Sequence, residues 1–415
     1  MVDNGLALLP SDDRAWRLEA YLARGGYDAA RKAVTTMTPE AVVCEIRDAV
    51  LRGRGGAGFP AGVKWGFVPR GLAGPKYLCV NADEGEPGTF KDRHVLCCAP
   101  HQLLEGMVIA AYGVGIGSAY IYVRGEYALI ADRLRAAIGE ARSAGYLGPD
   151  IFGSDFGLEV TVHPGAGAYI CGEETALLES LEGRRGQPRV KPPFPATVGL
   201  FRSPTVINNV ETLASVPQIL ARGAEWFRGR GLPQDGGTRL FGVSGAVRHP
   251  GVYELPVGTS LRTIVEISAG GPPEGRSIKA VVPGGLSAPV LRPEELDVAM
   301  DFDALAKAGS MLGSAGIIVV SDETPILDVL LVTARFYAHE SCGKCTPCRI
   351  GTSWILKVVE RLKRLGGGPD DLDLIVRLAG GISGRTLCPL GDGAALPIRA
   401  LVSKFRGELE QAVTR

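Results

Sequence analysis

The chain of 415 residues carries no excess charge of either sign, because 45 Lys and Arg balance 45 Asp and Glu. That argues against a nucleic-acid-binding surface spread over the whole protein. Its first residues, Met1-Val2-Asp3-Asn4, are acidic and lack the charged-then-apolar pattern of a targeting signal. A long membrane-spanning run is also lacking. The best candidate, 107–123, is uncharged but barely reaches spanning length and is interrupted by Gly113, Gly115 and Gly117. A buried helix, a turn and a buried strand explain it better, and the chain reads as soluble. Nine cysteines stand in no paired pattern, which points to a reducing compartment and metal use rather than a disulfide framework. What is present is an apolar fraction of 46%, ample for packed cores, and 57 glycines gathered in loops. The length fits two or three domains of roughly 100–200 residues.

The stretch around which the chain is organised is Glu340-Ser341-Cys342-Gly343-Lys344-Cys345-Thr346-Pro347-Cys348-Arg349. Cys342, Cys345 and Cys348 stand three residues apart, so a helical turn, or a loop entering one, keeps the thiols on one side. A tetrahedral or cubane site needs a fourth ligand, and Cys388 is the one cysteine that follows. Three clustered thiolates with a distant fourth form an iron–sulfur pattern more than a zinc pattern, since structural zinc usually splits its ligands into pairs.

Helical periodicity covers 11–51, with Thr38 as a cap and Pro39 in the first turn. Next comes Arg52-Gly53-Arg54-Gly55-Gly56-Ala57-Gly58-Phe59-Pro60, followed by Lys64-Trp65. Gly53, Gly55 and Gly58 match GxGxxG, but a helix precedes the loop where a dinucleotide fingerprint needs a strand. The physics survives: glycines let backbone N–H groups approach a phosphate or a flat ring, while Arg54 and Lys64 supply positive charge. A flexible surface loop is the plain alternative. Residues 75–182 alternate strands at 76–80, 119–123 and 158–162 with helices at about 101–112 and 126–143 and from 172, the signature of a parallel sheet. Ligands on such sheets sit beyond the strand carboxyl ends. The loops there carry Asn81, Asp83, Glu84 and Glu86, and Glu173 and Glu174. Such carboxylates can accept hydrogen bonds from ribose hydroxyls or ring edges; solvation of a surface is the ordinary alternative.

Residues 184–212 read as one long irregular, basic, proline-rich connection ending at Asn208-Asn209, which cap a helix or open a phosphate site. Residues 238–322 read as a small mixed domain of hairpin, helix and strands, a ubiquitin-like β-grasp (SLBB) unit in which nothing looks catalytic. From 323 the chain is helical and closes around the cysteines, with a single last helix at about 395–412. The expected architecture is α/β: N-terminal helices plus a Rossmann-like parallel-sheet domain (1–237), the β-grasp domain (238–322) and a C-terminal helical bundle holding the cluster (323–415).

Together the glycine loop, Asn81-Ala82-Asp83-Glu84-Gly85-Glu86-Pro87-Gly88, Gly167-Ala168-Tyr169-Ile170-Cys171-Gly172-Glu173-Glu174-Thr175, Lys191-Pro192-Pro193-Phe194-Pro195, Asn208-Asn209-Val210-Glu211-Thr212 and the two cysteine motifs cover nearly the whole chain. In this order they resemble the F-subunit family of the NADH-quinone oxidoreductases, the NADH-oxidising flavoproteins of respiratory complex I. The same family includes the diaphorase subunits of NAD-linked hydrogenases and formate dehydrogenases.

The resemblance implies FMN between the glycine loop (Arg54, Gly55, Gly56, Gly58, with Lys64) and the sheet, contacted by Asn81, Asp83, Glu84, Tyr169, Gly172, Glu173, Asn208 and Asn209. It implies NADH over the flavin, with its adenine on Phe59, Phe67 and Phe194 and with Glu86, Glu174 and Lys191 nearby. It implies a 4Fe–4S cluster on Cys342, Cys345, Cys348 and Cys388. NADH then gives a hydride to FMN, which releases electrons singly to the cluster for onward transfer to quinone; no side-chain acid or base is required, because the cofactors carry the chemistry. By resemblance Glu174 faces the adenosine ribose and repels the 2′-phosphate of NADPH, with no arginine beside it to offset the repulsion. The implied partners are a thioredoxin-like 2Fe–2S subunit and a large iron–sulfur subunit, on the cytoplasmic face of the membrane that is touched only through the complex. Added ferredoxin-like or thioredoxin-like domains are absent from the sequence, which favours the complex I branch over the soluble diaphorases. A ligand-binding module with a structural metal is the non-enzymatic alternative.

Overall fold

The computed structural model describes residues 8–10, 15–69, 71 and 74–414. Among these, two four-stranded sheets organise the chain. Helices α1 (Leu18–Leu22), α2 (Asp28–Thr36), α3 (Pro39–Asp48) and α4 (Ala61–Gly66) come first. Thr38 caps α3 as expected, its Oγ1 accepting from Ala41 N at 3.2 Å with Pro39 in the first turn.

The first sheet holds β1 (Tyr77–Ala82), β2 (Ser118–Val123), β3 (Glu159–Pro164) and β4 (Thr205–Asn209), all parallel, in the order β3-β2-β1-β4. Helices α5 (Asp92–Cys98) and α6 (Pro100–Val114) cross from β1 to β2, and α7 (Ala128–Ser143) from β2 to β3. Tyr112 is the one residue of α6 that is not buried, so this helix is the centre of the first core rather than a membrane span. It ends at Gly115, whose φ of 77° supplies the left-handed turn into β2, and 107–123 is thus a buried helix, turn and strand. Among the described residues no single helix is long and apolar enough to cross a membrane. The polar exception inside α6 is Glu105, whose buried carboxylate accepts from Tyr21 Oη and from the backbone N–H groups of Tyr27 and Ala30, both at 2.9 Å. That bond set ties α1 and α2 to the core.

Strand β4 corrects the reading of 184–212 as irregular throughout. Its five residues pair with β1 from Tyr77↔Thr205 to Asn81↔Asn209. Its apolar run is only Val206-Ile207, and prolines precede it, so nothing local distinguishes it from a loop; pairing with the neighbouring buried strand forms it. The consequence is topological. The chain steps from β1 to β2 to β3 on one side and returns to β4 on the other, so the crevice of the switch lies at the carboxyl ends of β1 and β4. After β3 come α8 (Glu174–Leu181), then α9 (Val210–Ala214), α10 (Val216–Arg222) and α11 (Ala224–Arg228).

The second sheet is mixed: β5 (Thr238–Gly245), β6 (Gly251–Pro256), β7 (Ile278–Val282) and β8 (Gly316–Ser321), in the order β6-β5-β8-β7. The β5–β6 and β7–β8 pairs are antiparallel and β5–β8 is parallel. The helix of this unit begins at 261 and is π-helical over Thr263–Ser268, and a short α12 (Phe302–Lys307) precedes β8. The remainder is helical: α13 (Ile326–Glu340), α14 (Thr346–Leu365), α15 (Pro369–Ile382), α16 (Leu390–Lys404) and α17 (Arg406–Val413). The last helix expected from sequence is two, broken at Phe405. Their apolar faces share one core with Ala280, Val282, Val290 and Val320, so the helices pack on the mixed sheet.

Candidate functional site

The crevice at β1 and β4 gathers the expected polar residues. Asn81, next to last in β1, lies beside Asn209 of β4. Asn81 Nδ2 donates to the Gly172 carbonyl at 2.8 Å, and its Oδ1 accepts from Asp83 N at 3.1 Å. Asn208 Oδ1 accepts from Trp65 Nε1 at 2.8 Å. Asn209 Oδ1 caps α9 through Glu211 N at 2.9 Å, and its Nδ2 donates to Asp92 Oδ2 at 2.5 Å. Asp92 in turn pairs at 2.8 Å with Lys91, whose Nζ also meets Glu211 Oε2 at 2.6 Å. A buried ionic network therefore fixes the asparagine from behind.

The glycine loop closes the other side. A Cβ on Gly55 would lie 3.0 Å from Asn209 Cβ, and one on Gly58, where φ is +66°, would strike the Phe302 ring. Gly56 also has a left-handed φ of +119° and lies near Gly313 of the mixed-sheet unit. Arg54 corrects the expectation that its charge serves the site. Its side chain is fully buried: Nη1 donates to Asp235 Oδ1 at 2.6 Å and Nη2 to the carbonyls of Gly236 and Thr238. Only the Arg54 backbone lies in the loop, its N–H donating to Thr212 Oγ1 at 2.8 Å.

The carboxylates divide by environment. Asp83 is buried, and its Oδ2 has no hydrogen-bond partner among the described residues. Burial pushes its carboxyl up to about 7 against the opposing charge of Arg124. Glu84 is turned away: its oxygens accept from Asp92 N, Arg93 N and Tyr127 Oη at 2.7–3.2 Å, capping α5. Burial lifts it to about 7 as well. Glu86 is held by Tyr169 Oη at 2.5 Å and by Ser287 N and Oγ at 2.7 and 2.5 Å, and burial raises its carboxyl. Ser287 belongs to the mixed-sheet unit, in which the sequence showed nothing catalytic; a serine after Gly284-Gly285-Leu286 has no local signature of such a contact.

Glu173 and Glu174 open α8 with different tasks. Glu173 is its N-cap, Oε2 accepting from Thr175 N and Ala176 N at 2.9 and 3.0 Å, while Oε1 meets Lys191 Nζ at 3.0 Å. Glu174 pairs with Lys64 at 3.1 Å and Lys191 at 2.7 Å. Burial pushes the Glu174 carboxyl up, but the two ammonium groups outweigh it and hold it below the usual range. Two lysines thus offset the charge that reads as unopposed in sequence. Phe59, Phe67 and Phe194 are 46%, 56% and 57% exposed, unusual for aromatics, and the Phe59 and Phe67 centroids stand 5.9 Å apart.

One apolar cluster runs from this site to the cysteines. It joins Tyr122, Ile170, Cys171 and Leu177 to Tyr337, Cys348 and Leu390, with Tyr169, Cys342, Cys345 and Cys388 packed against it. Tyr169 N donates to Glu340 Oε2 at 3.1 Å, two residues before Cys342. The proline-rich segment grips the same turn: Gln187 Nε2 donates to the Cys342 carbonyl at 3.1 Å and Lys344 Nζ to that of Pro188 at 2.5 Å. Cys345 is the N-cap of α14 and Cys348 lies in its first turn, the loop entering a helix that the spacing predicts. Cys388 reaches them from just before α16; burial, with Cys342 and Cys348 adding to it, lifts its thiol to about 12. Ser341 Oγ lies 3.1 Å from Cys348 Sγ, and Leu387 N donates to Cys345 Sγ at 3.3 Å. Among the described residues no three His, Cys, Asp or Glu stand close enough to share a single metal ion. A cubane spreads four thiolates around a larger body than one ion, and hydrogen bonds to sulfur are how proteins tune such centres.

Comparison with known proteins decides the family. The chain is 56% identical over 391 residues to the F 2 subunit of NADH-quinone oxidoreductase from Rhizobium meliloti, covering 94% of this chain and 93% of that protein. It is 48% identical to the F subunit from Streptomyces coelicolor, covering 97% and 89%. The chain belongs to the NADH-quinone oxidoreductase F-subunit family. Family models agree: a Nuo51 FMN-binding domain matches residues 46–218, an SLBB domain 240–291, and an NADH-ubiquinone oxidoreductase-F iron-sulfur binding region 328–412. Among solved structures, an NAD+-reducing NiFe-hydrogenase in the H2-reduced state is similar with a TM-score of 0.85 and 38% identity over 94% of this chain. This F-type chain spans 64% of that hydrogenase chain, less than two thirds of its length.

The residues present fit the cofactors of the family. Beside the crevice lie glycines whose missing side chains leave room against Asn209 and Asp83, together with one buried carboxylate oxygen that lacks a donor. This suits a flat polar ring bearing N–H groups. The four thiols on one apolar wall suit an iron–sulfur cubane.

Proposed function

We propose that this chain oxidises NADH and passes the electrons one at a time toward quinone, as the NADH-oxidising subunit of a complex I. The observation that supports the reading is the continuous packing of the crevice loop 169–174 against the cysteine turn, which suits a two-electron site beside a one-electron site in one chain. When bound, FMN accepts two electrons from NADH and gives them up singly, and the 4Fe–4S centre takes one at a time. Gly55, Gly56, Gly58, Asn81, Asp83, Gly172, Asn208, Asn209 and the Arg54 backbone hold the flavin, with Glu84, Glu173 and Tyr169 fixing the loops around it. Phe59, Phe67 and Phe194 stack the adenine; Lys64, Glu86, Glu174 and Lys191 line the nucleotide. Cys342, Cys345, Cys348 and Cys388 bind the cluster. The mixed-sheet unit is a ubiquitin-like β-grasp at 238–322, between a flavin domain at 1–237 and a cluster-holding bundle at 323–415. The onward carriers lie in a thioredoxin-like 2Fe–2S subunit and a large iron–sulfur subunit, at the cytoplasmic face of the membrane.

A diaphorase of an NAD-linked hydrogenase is the second reading, favoured by the TM-score of 0.85. Identity of 56% with near-complete mutual coverage, against 38% and 64% of the hydrogenase chain, supports the complex I reading over it. Affinity purification of the tagged chain from its own cells tests the choice. Recovery of NADH oxidation with quinone-reductase subunits is expected; recovery with a hydrogenase, or without NADH oxidation, overturns it.

A further inference from the structure

The floor of the glycine loop comes from the mixed-sheet unit. Phe302 lies directly beneath Gly58, and two guanidinium groups flank its ring, Arg52 at 4.2 Å and Arg239 at 5.0 Å from its centroid. Arg239, on β5, has no exposed surface. Its Nη2 donates to the Gly53 carbonyl at 3.2 Å, while Nε and Nη1 have no hydrogen-bond partner among the described residues. The carboxylates nearby are committed elsewhere: Asp235 to Arg54 at 2.6 Å, and Glu211 to Lys91 at 2.6 Å and to Leu240 N at 2.8 Å. Burial, reinforced by the Arg54 charge, pulls the Arg239 guanidinium down to about 10, so it stays charged at neutral pH. A buried cation with two free donors, whose nearby carboxylates Asp235 and Glu211 favour its charge but are shared with Arg54 and Lys91, is stabilised further by an anion placed close to it.

Apart from Arg52, whose Nε donates to the Gly58 carbonyl at 2.7 Å, the other cations near the loop are spent. Arg54 is locked to Asp235, Lys64 to Glu174, and Lys191 to Glu173 and Glu174. A phosphate monoester brings about −1.5 to −2 charges at neutral pH. Backbone N–H groups of a glycine loop orient a phosphate but supply only partial charge.

We propose that Arg239 is a positioning residue that makes the loop selective for a phosphorylated flavin. It holds Gly53 from below and places a buried charge, only partly offset by Asp235 and Glu211, under the phosphate seat. The inference rests on the glycine loop being the flavin site, and it makes flavin retention depend on a residue of the second domain.

The test is equilibrium binding of FMN and of riboflavin, which lacks the phosphate, to the flavin-stripped full chain, followed by flavin fluorescence. Wild type is expected to prefer FMN. Arg239→Met should lower FMN affinity at least tenfold and leave riboflavin affinity within about twofold, collapsing the preference. Arg239→Gln, which can still donate to Gly53, should do the same, while Arg239→Lys, which keeps the charge, should retain most of the preference. Circular dichroism checks folding, and either folded neutral variant decides. An unchanged FMN-to-riboflavin ratio, or an equal fall in both affinities, overturns the proposal. A wild type that binds both flavins equally overturns instead the assignment of the loop as a phosphate seat, and Arg239 with it.

Discussion

Replacing Glu174 with glutamine should shift the nucleotide preference toward NADPH. Glu173, Glu174, Lys64 and Lys191 form a neutral quartet of two carboxylates and two ammonium groups. Glu174→Gln leaves two positive charges against one negative, a net gain of one positive charge where the ribose is proposed to lie. One unit pair at an effective dielectric of about 20 is worth roughly 4 kcal/mol at about 4 Å and half that at twice the distance. The side chain is about a quarter exposed, so solvent and salt reduce this. About 1.4–2.8 kcal/mol is a fair expectation, ten- to a hundredfold in specificity. The lost ion pairs are partly exposed and cost at most about 1 kcal/mol each in stability, so the variant should fold. The assay is kcat/KM for NADH and for NADPH with an artificial acceptor, at low and high salt. The NADPH-to-NADH ratio should rise ten- to a hundredfold at low salt and less at high salt, with NADH use falling only modestly. An unchanged or salt-insensitive ratio would refute the reasoning. Glu86 would then be a poor substitute candidate, because both of its oxygens are already bonded within the protein.

Three further outcomes are expected. Cys388→Ser should lose or convert the iron–sulfur centre while FMN stays bound, so that NADH reduction of flavin-level artificial acceptors survives and quinone reduction fails; an intact 4Fe–4S signal by electron paramagnetic resonance would remove Cys388 from the ligand set. Phe194→Ala should raise KM for NADH severalfold without changing flavin content, since aromatic contacts contribute about 0.5–1.5 kcal/mol beyond buried area; unaltered kinetics would mean that Phe194 merely packs its own loop. Asp83 has its carboxyl lifted from 3.8 to about 7 in the folded state, so the folded protein holds a proton that the unfolded chain has released over that range. Its contribution to stability is present below about pH 4 and is lost as pH rises to about 7, by roughly 4 kcal/mol at most. Asp83→Asn in the flavin-stripped protein should therefore flatten the fall in denaturation midpoint between those values, and a pH profile identical to wild type would contradict the burial argument.

The motifs made the parallel sheet, its carboxyl-edge loops and the cysteine turn legible, because each has a local signature: short apolar runs alternating with helices, acids and glycines in the loops, three-residue cysteine steps. Strand β4 was not legible, since two apolar residues after a proline-rich stretch form a strand only when β1 offers them a partner. Side-chain commitments were hidden for the same reason. That Arg54 answers Asp235, that Glu84 caps α5 and that two lysines neutralise Glu174 depend on contacts across 181, 8, and 110 and 17 residues. Ser287, Phe302 and Arg239 belong to a unit without catalytic motifs, yet they support Glu86 and the glycine loop. Charge read along a sequence tells which ions are present; burial and pairing decide which of them remain to meet a ligand.

The most direct measurement is an anaerobic titration of the purified chain with NADH, following flavin absorbance and the iron–sulfur resonance together, with flavin and iron assayed on the same sample. The account predicts bound FMN that bleaches as NADH is added, in a protein whose iron belongs to a 4Fe–4S centre lost in Cys388→Ser. A chain that binds flavin but is not reduced by NADH, or that is reduced yet holds no iron–sulfur centre, would contradict it.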